Sequence, residues 1–175
     1  MSDNDWSDQF RAVFADGVKR YRAGQREVAS FFTDEESAFL TSIGCTAQEL
    51  FDFVEDYSNG GDPTFETVLL VTAVRREYLR SVQNGVTSSN QRTMDEFPPK
   101  SAEVEGISWL PRIIEKARAK LRGELPEEMM YGCGGDRPFA RRNGFHLADF
   151  LRVVWDAGDD QAKIVEFVKK SAAAS

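Results

Sequence analysis

The sequence WLPRIIEKARAKLRG, at residues 109–123, has a counterpart in FRAVFADGVKRYRAG, at residues 10–24. Both stretches place apolar side chains at helical spacing and end in a glycine, as an amphipathic helix does. The correspondence continues through four segments of residues 10–71 and 109–168, which predicts a tandem duplication. Two unrelated helix–turn–helix stretches with similar glycine stops are the alternative. The paired positions are 97 to 100 residues apart: Gly24 with Gly123, Phe39 with Phe139, Gly44 with Gly144, and Gly61 with Gly158.

Capping signals divide each half into four helices. Thr33 and Thr46 each open a capping-box sequence, in which the hydroxyl and a Glu three residues later satisfy free N–H groups of the first turn. No stretch alternates apolar and polar residues over several positions, so strands are not expected. Further helix starts are predicted at Ser7, at Asp62 with Pro63, at Ser108, at Asp136, and at Asp159 or Asp160.

These elements predict an all-α protein, built as a tandem duplication of a four-helix unit whose copies pack with pseudo-twofold symmetry. The copies occupy residues 5–85 and 105–170, residues 86–104 form a linker, and residues 171–175 form a frayed tail. Packing of the copies is favoured because about 70 residues rarely stabilise themselves through one core. Two independent units are the alternative.

Composition excludes several classes of function. Among 175 residues, 22 are Lys or Arg and 29 are Asp or Glu, giving a net charge of −7. This balance argues against a nucleic-acid binder, which usually carries a basic face. There is no run of about 18 apolar residues and no secretory signal, so we expect a cytoplasmic protein without a membrane partner. Two cysteines without a CxxC motif predict neither a disulfide framework nor a zinc site, and no cofactor is expected.

The negative charge is divided unevenly along the chain. Residues 1–97 contain 9 basic and 17 acidic residues, a net charge of −8, whereas residues 98–175 contain 13 basic and 12 acidic residues, a net charge of +1. Acidic surfaces repel anions. The argument against anionic partners therefore applies to the first half, and a small anionic ligand remains an option for the second.

The second half carries a series of recognisable motifs. They are a Pro-rich opening, a basic helix, a G-x-L-P step, a small-residue loop with an Asp, an aromatic-rich turn ending in Gly, and a last D-x-x-I/V helix. In this sequence they correspond to Pro98-Pro99, Arg112, Glu115-Lys116, Arg118, Gly123, Leu125-Pro126, Asp136, Gly144 and residues 159–168. In these motifs residues 97–170 resemble the bacterial family catalogued as domain of unknown function 5069. The resemblance implies no activity, because none is established for the family, and the first half looks like a diverged copy.

The loop YGCGGD, at residues 131–136, is the best local candidate for a site. Consecutive glycines let a backbone approach a ligand closely, and a following helix N-terminus would favour a thiolate or a bound anion. The loop is not a Walker motif, because it lacks the Gly-Lys-Ser/Thr ending. A flexible turn beside a solvated basic helix is the alternative. The candidate ligand-binding residues are Arg112, Tyr131, Cys133, Gly134, Asp136, Arg137, Arg141 and His146, with Arg118 as a further cation that could converge on the loop.

Other reactive side chains are given structural roles. His146 is the only histidine and aligns with Thr46, so it is expected to cap a helix rather than to act as a general base. A single histidine completes neither a catalytic triad nor a metal site of the usual type. Cys45 aligns with Phe145 and is expected to pack in a core.

Two functions remain open at this point. The favoured one is a non-enzymatic module that binds a protein partner or itself, because no catalytic constellation is evident and two small cores would leave some aromatic residues exposed. The alternative is a small anionic-ligand site or a thiol-dependent enzyme, with Cys133 as nucleophile or ligand contact. The aromatic residues concerned are Trp6, Phe10, Phe31 and Phe32.

Overall fold

The structure is a computed structural model that describes residues 5–175. The chain divides into two compact units, of which the first ends at Gly85 and the second comprises residues 86–175. Within the described residues there are eight α-helices and one two-stranded sheet. The prediction of a mostly helical protein is confirmed, but the two strands were not expected. None of the helices described is both long enough and apolar enough to cross a membrane.

The first unit encloses an aromatic core. Helix α1 packs against α3 and α4, and Phe31 meets Phe51 edge to face with ring centroids 4.8 Å apart. Trp6, Phe10, Phe31 and Phe32 are all buried, with Trp6 and Phe32 the most exposed at 7%. The expectation that such residues would exceed a small core is therefore wrong, because they pack on one another. The helices are α1 (Asp5–Arg22), α2 (Asp34–Ser42), α3 (Ala47–Gly60) and α4 (Phe65–Ser81), with a 3-10 turn at Val28–Ser30.

The second unit places a short hairpin before four further helices. Helix α5 packs against α7, which packs against α8, and Ile113, Phe150 and Ile164 are fully buried. The last helix reaches Ala174, so the predicted frayed tail is helical almost to its end. The elements are β1 (Glu103–Val104) and β2 (Ile107–Ser108), which pair antiparallel, followed by α5 (Leu110–Arg122), α6 (Asp136–Arg142), α7 (Leu147–Ala157) and α8 (Gln161–Ala174).

Residues 86–104, predicted as a linker, are grouped with the second unit and contact α5. Arg92 donates to Glu115 Oε2 at 2.9 Å, and its guanidinium carbon lies 4.3 Å from the centre of the Phe97 ring. Phe97 is buried together with Ala119 and Met129. A 3-10 turn at Met94–Glu96 leads into this contact. The segment therefore contributes side chains to a small core of its own beside α5.

Several helix starts agree with their capping signals. Thr33 forms a complete capping box with Glu36. Thr46 accepts a hydrogen bond from the third backbone N–H of α3, and Asp160 does the same for α8. These short polar side chains satisfy first-turn donors that have no partner within the helix.

Three other helix starts differ from prediction. Ser7 lies inside α1. Thr64 caps α4, two residues after Asp62, whose bond to Pro63 is cis. Ser108 pairs in the hairpin, and Trp109 precedes α5 without a side-chain cap. A capping residue type alone therefore does not fix where a helix begins, and at Ser108 the hairpin takes up the predicted cap.

Helix α3 carries a partly buried carboxylate. Asp52 accepts a hydrogen bond from Gln48 Nε2 at 2.7 Å. Burial raises the pKa of Asp52 to about 6. The hydrogen bond from Gln48 lowers this pKa, whereas the negative charges of Glu55 and Asp56 raise it further. A carboxyl group whose pKa is raised by folding costs stability once it ionises. This cost is absent at pH values below the pKa that Asp52 has in the unfolded chain, and it reaches its full size above about pH 6.

We expect Asp52→Asn to increase the free energy of unfolding at pH 8 by about 1 kcal/mol, a value reduced to allow for the partial exposure of the side chain. At pH 4 the substitution should change little, because the folded wild-type carboxyl is then protonated. Urea unfolding followed by circular dichroism at both pH values measures the difference. Asp156→Asn, at an exposed position, is the control. An equal gain at pH 4 and pH 8 would contradict this account.

Candidate functional site

Helix α5 carries a lysine into the interior of the second unit. Lys116 follows Ile113 by three residues, so both side chains lie on the same face of the helix. The Lys116 side chain is only 3% exposed. Burial of an ammonium group costs free energy unless a group of opposite charge pairs with it. The position of Lys116 therefore requires a buried anionic partner.

That partner is Asp136, the first residue of α6, which is fully buried. Its carboxylate forms an ion pair with the Lys116 ammonium group. It also accepts hydrogen bonds from Trp109 Nε1 at 2.9 Å and from the Gly132 backbone N–H at 2.9 Å. Both carboxylate oxygens are thus satisfied. Removing one partner of such a buried pair typically costs about 3–5 kcal/mol, because the other charge is left without compensation.

A thiol lies beside this ion pair. The Lys116 ammonium group donates to Cys133 Sγ, and the nitrogen and sulfur atoms are 3.2 Å apart. Cys133 is partly exposed, whereas Lys116 and Asp136 are buried. Cys133 is therefore the member of this cluster that borders solvent, while Lys116 and Asp136 lie in the interior.

Tyr131 connects the same loop to helix α7. Its side chain is fully buried, and its hydroxyl donates to the Leu147 carbonyl oxygen at 2.8 Å. Burial, together with the negative charge of Asp136, raises the pKa of Tyr131 well above its ordinary value. The phenol therefore stays neutral at physiological pH and acts as a structural donor.

Trp109 turns the chain from the hairpin into α5. Its φ of 74° lies in the left-handed region, which costs a residue with a Cβ roughly 1–2 kcal/mol. Two hydrogen bonds hold it there: its backbone N–H donates to the Ala102 carbonyl at 3.0 Å, and its indole N–H donates to Asp136. A hydrogen bond to a carboxylate is worth about 1.5–3 kcal/mol, enough to offset the backbone cost.

The glycine loop approaches the indole ring closely. A Cβ placed on Gly135 would lie 2.4 Å from the Trp109 ring, so this position tolerates no side chain without displacement of the indole. The same construction at Gly134 meets no heavy atom within 4 Å. The two adjacent glycines therefore differ in role, and Gly135 is the one that the site requires.

The arginines predicted to converge on the loop mostly point elsewhere. Arg112 donates to the Pro98 carbonyl at 2.6 Å, and Arg118 donates to the Gly158 carbonyl at 3.0 Å. Arg141 lies exposed on α6. Arg137 does reach the loop, where it donates to the Gly132 carbonyl at 2.7 Å. Three of these guanidinium groups thus donate to backbone carbonyls, and the cation at the centre of the loop is Lys116.

The remaining predicted residues divide between the loop and structural positions. Cys133 and Asp136 contact Lys116, and Tyr131 lies close enough to Asp136 for the carboxylate charge to act on its hydroxyl. His146 is the N-cap of α7, and its Nδ1 accepts from the Ala148 backbone N–H at 3.1 Å, which confirms the predicted cap. Cys45 is buried in the first unit, as expected of a packing residue. In residues 5–175, no three or more His, Cys, Asp or Glu side chains are grouped so as to hold a metal ion.

Two members of the cluster are missed by the sequence reasoning. Lys116 is assigned to a solvated face because Arg112 and Glu115 surround it with charge, and Trp109 is assigned only to the apolar face of the helix. A signal is nevertheless present, because Trp109, Ile113, Lys116 and Lys120 follow spacings of four, three and four residues. Such spacing marks one face of a helix. Apolar residues at the start of this face indicate that its lysines turn inward.

The comparisons with known proteins concern the second unit. Residues 96–175 match the family model described as Domain of unknown function (DUF5069). This match confirms the resemblance for the C-terminal part of the chain. It covers Trp109, Lys116, Cys133 and Asp136, and the description names no activity. No curated protein and no solved structure matches the chain.

We expect Gly135→Ala to destabilise the second unit by about 2–3 kcal/mol, because the added methyl group would displace the Trp109 ring and weaken its hydrogen bond to Asp136. Gly134→Ala is the matched control and should cost less than about 1 kcal/mol. Urea unfolding followed by tryptophan fluorescence in a Trp6→Phe background reports on the second unit. Equal losses for the two substitutions would show that the indole contact does not matter.

Proposed function

We propose that the second unit is a thiol site, in which Cys133 is the reacting group and the Lys116–Asp136 pair positions it. The observation that carries this proposal is the contact between the buried Lys116 ammonium group and the partly exposed Cys133 sulfur, 3.2 Å apart. The reaction class is nucleophilic attack by sulfur on a small electrophile. A cation next to a sulfur favours reactions in which the sulfur carries negative charge.

The arrangement differs from an accidental contact in two respects. Lys116 cannot swing away to solvent, because its side chain is 3% exposed and its charge is paired with Asp136. The loop that carries Cys133 is held through Gly132, whose N–H donates to the same carboxylate. Asp136 therefore fixes both the Lys116 nitrogen and the loop that carries the Cys133 sulfur. Preorganisation of this kind is what a reactive group requires.

The proposal concerns a reactive thiol rather than a turnover enzyme. General acid–base catalysis by histidine would need a ring nitrogen near the sulfur, but His146 Nδ1 accepts from the Ala148 N–H at the start of α7. Helix α6 has seven residues, so its dipole adds little to the site. The electrostatic support for Cys133 thus comes from Lys116.

Protein interaction or self-association remains a second proposal with weaker support. The aromatic residues that suggested an exposed apolar face are buried. The large apolar side chains that are exposed among the described residues occur singly along the sequence, which is ordinary for a folded surface. They are Leu70, Val82, Val86 and Met94.

We also propose that the two units arose by duplication of one helical unit. In each unit, the glycine that follows the short second helix contacts the last helix or its end. A Cβ on Gly44 would lie 3.1 Å from Arg75, and one on Gly144 would overlap Ser175. The last helices are offset by 97 residues in the alignment, as Gly61 and Gly158 are, so the counterpart of Arg75 is Ala172, which lies between Ser171 and Ser175. In both units the glycine therefore lies against a similar part of the last helix, which supports the proposed duplication.

We expect iodoacetamide to alkylate Cys133 in the native chain several-fold faster than a free model thiol at pH 7, because the Lys116 ammonium group lies against the sulfur. Cys45 is the internal control, since burial should protect it until the chain unfolds. Peptide mass spectrometry over a time course measures both rates.

Lys116→Gln should slow labelling of Cys133 to the rate of the model thiol or below it, with folding checked by circular dichroism. Lys116→Arg keeps a cation at this position and should preserve faster labelling. Labelling of native Cys133 no faster than the model thiol would overturn the proposed function.

A further inference from the structure

We propose that oxidation of Cys133 by a peroxide leads to a covalent sulfur–nitrogen crosslink, a sulfenamide, between Cys133 Sγ and Lys116 Nζ. The inference rests on the proposed function, because it requires Cys133 to be reactive, and it adds the second reactant. The two atoms lie 3.2 Å apart, within the range of about 3–3.5 Å that is typical of a near-attack arrangement. The site is thus a candidate for reversible oxidative modification.

In the first step, Cys133 sulfur attacks one oxygen of the peroxide. A sulfur–oxygen bond forms and the oxygen–oxygen bond breaks. With hydrogen peroxide, the second oxygen leaves as water together with the thiol proton. Sulfur gives up two electrons to the peroxide and becomes a sulfenic acid. Cys133 is partly exposed whereas Lys116 is buried, so the proposal requires the peroxide to approach from the side of Cys133.

In the second step, Asp136 accepts one proton from the Lys116 ammonium group through their existing contact. The neutral amine then attacks the sulfur, so that a nitrogen–sulfur bond forms and the sulfur–oxygen bond breaks. The departing hydroxide takes a second proton from Nζ and leaves as water. No further oxidant is consumed, because the condensation of a sulfenic acid with an amine is not a redox step.

Burial favours this outcome over a free sulfenic acid. Before the reaction, the site contains two buried charges, on Lys116 and Asp136. Afterwards it contains a neutral sulfenamide and a neutral carboxylic acid. Removal of both charges together avoids the cost of leaving either one unpaired in the interior.

The positions of the two cysteines also favour Lys116 as the group that reacts with oxidised Cys133. The chain has two cysteines, and Cys45 is buried in the first unit. A disulfide within the second unit is therefore excluded for Cys133. The nitrogen of Lys116 is the nucleophile in contact with its sulfur. A small reducing thiol would reverse the crosslink by attacking sulfur and releasing the amine.

The test is to treat the full-length chain with hydrogen peroxide and to measure intact and peptide masses. The crosslinked chain should be about 2 Da lighter than the reduced chain, and the linkage should map to Lys116 and Cys133 and be removed by dithiothreitol. Cys45→Ser should form the same product. Lys116→Arg keeps the cation but presents a poorly nucleophilic guanidinium group, so it should show only oxygen addition at Cys133.

Two different failures can be separated. If iodoacetamide labels Cys133 rapidly but peroxide yields only products heavier by about 16 or 32 Da, the crosslink is overturned and the reactive thiol stands. If Cys133 neither labels rapidly nor oxidises, both proposals fail. A wild-type product about 2 Da lighter that also forms in Lys116→Arg would show that another nitrogen reacts, which overturns the assignment to Lys116.

Discussion

The contact between Lys116 and Asp136 determines how the second unit is arranged around its glycine loop. Each residue alone would be expensive to bury, because a charge inside a protein needs a partner that replaces water. Together they form an ion pair at most 3% exposed, and the carboxylate collects two further donors. These donors come from the residue before α5 and from the loop. One carboxylate therefore connects residues 109–116, at the start of α5, with the loop at residues 132–136.

Several unusual features of the unit follow from this connection. Trp109 adopts a left-handed backbone because its indole must reach Asp136 while its backbone starts α5. Gly135 has no side chain because the indole occupies the space that a Cβ would need. Cys133 lies against Lys116 because Gly132, its neighbour, donates to the same carboxylate. The Cys133 thiol is thus close to the Lys116 amine because Asp136 binds both Lys116 and the loop. The proposed chemistry depends on this short distance.

The local features of the fold are largely predictable from the sequence. Thr33, Thr46, His146 and Asp160 cap helices where their residue types and spacing indicate, since capping depends on a few adjacent residues. The hairpin was missed because strands of two residues are too short to show alternation. Ser108 has a capping side chain, but pairing with Glu103 places it in the hairpin.

The candidate site was predictable only in part, because it joins residues 27 positions apart. The loop at residues 131–136 stands out for its glycines and its cysteine. Lys116 does not stand out, because charged neighbours on α5 conceal that its own face is buried. Burial of a lysine can be predicted only when its acidic partner is known. The sequence alone does not show that Lys116 and Asp136 are partners, because the fold brings them together. The arginines near the loop have the right charge but are engaged by carbonyls such as those of Pro98 and Gly158.

The central claim is that Lys116 and Asp136 stabilise the second unit as a coupled pair. A double-mutant cycle with Lys116→Met and Asp136→Ala tests it most directly, measured by urea unfolding in a Trp6→Phe background so that fluorescence reports on the second unit. We predict that each single substitution costs about 3–5 kcal/mol and that the double variant loses at least about 2 kcal/mol less than their sum. Losses that add to within about 0.5 kcal/mol would contradict the account.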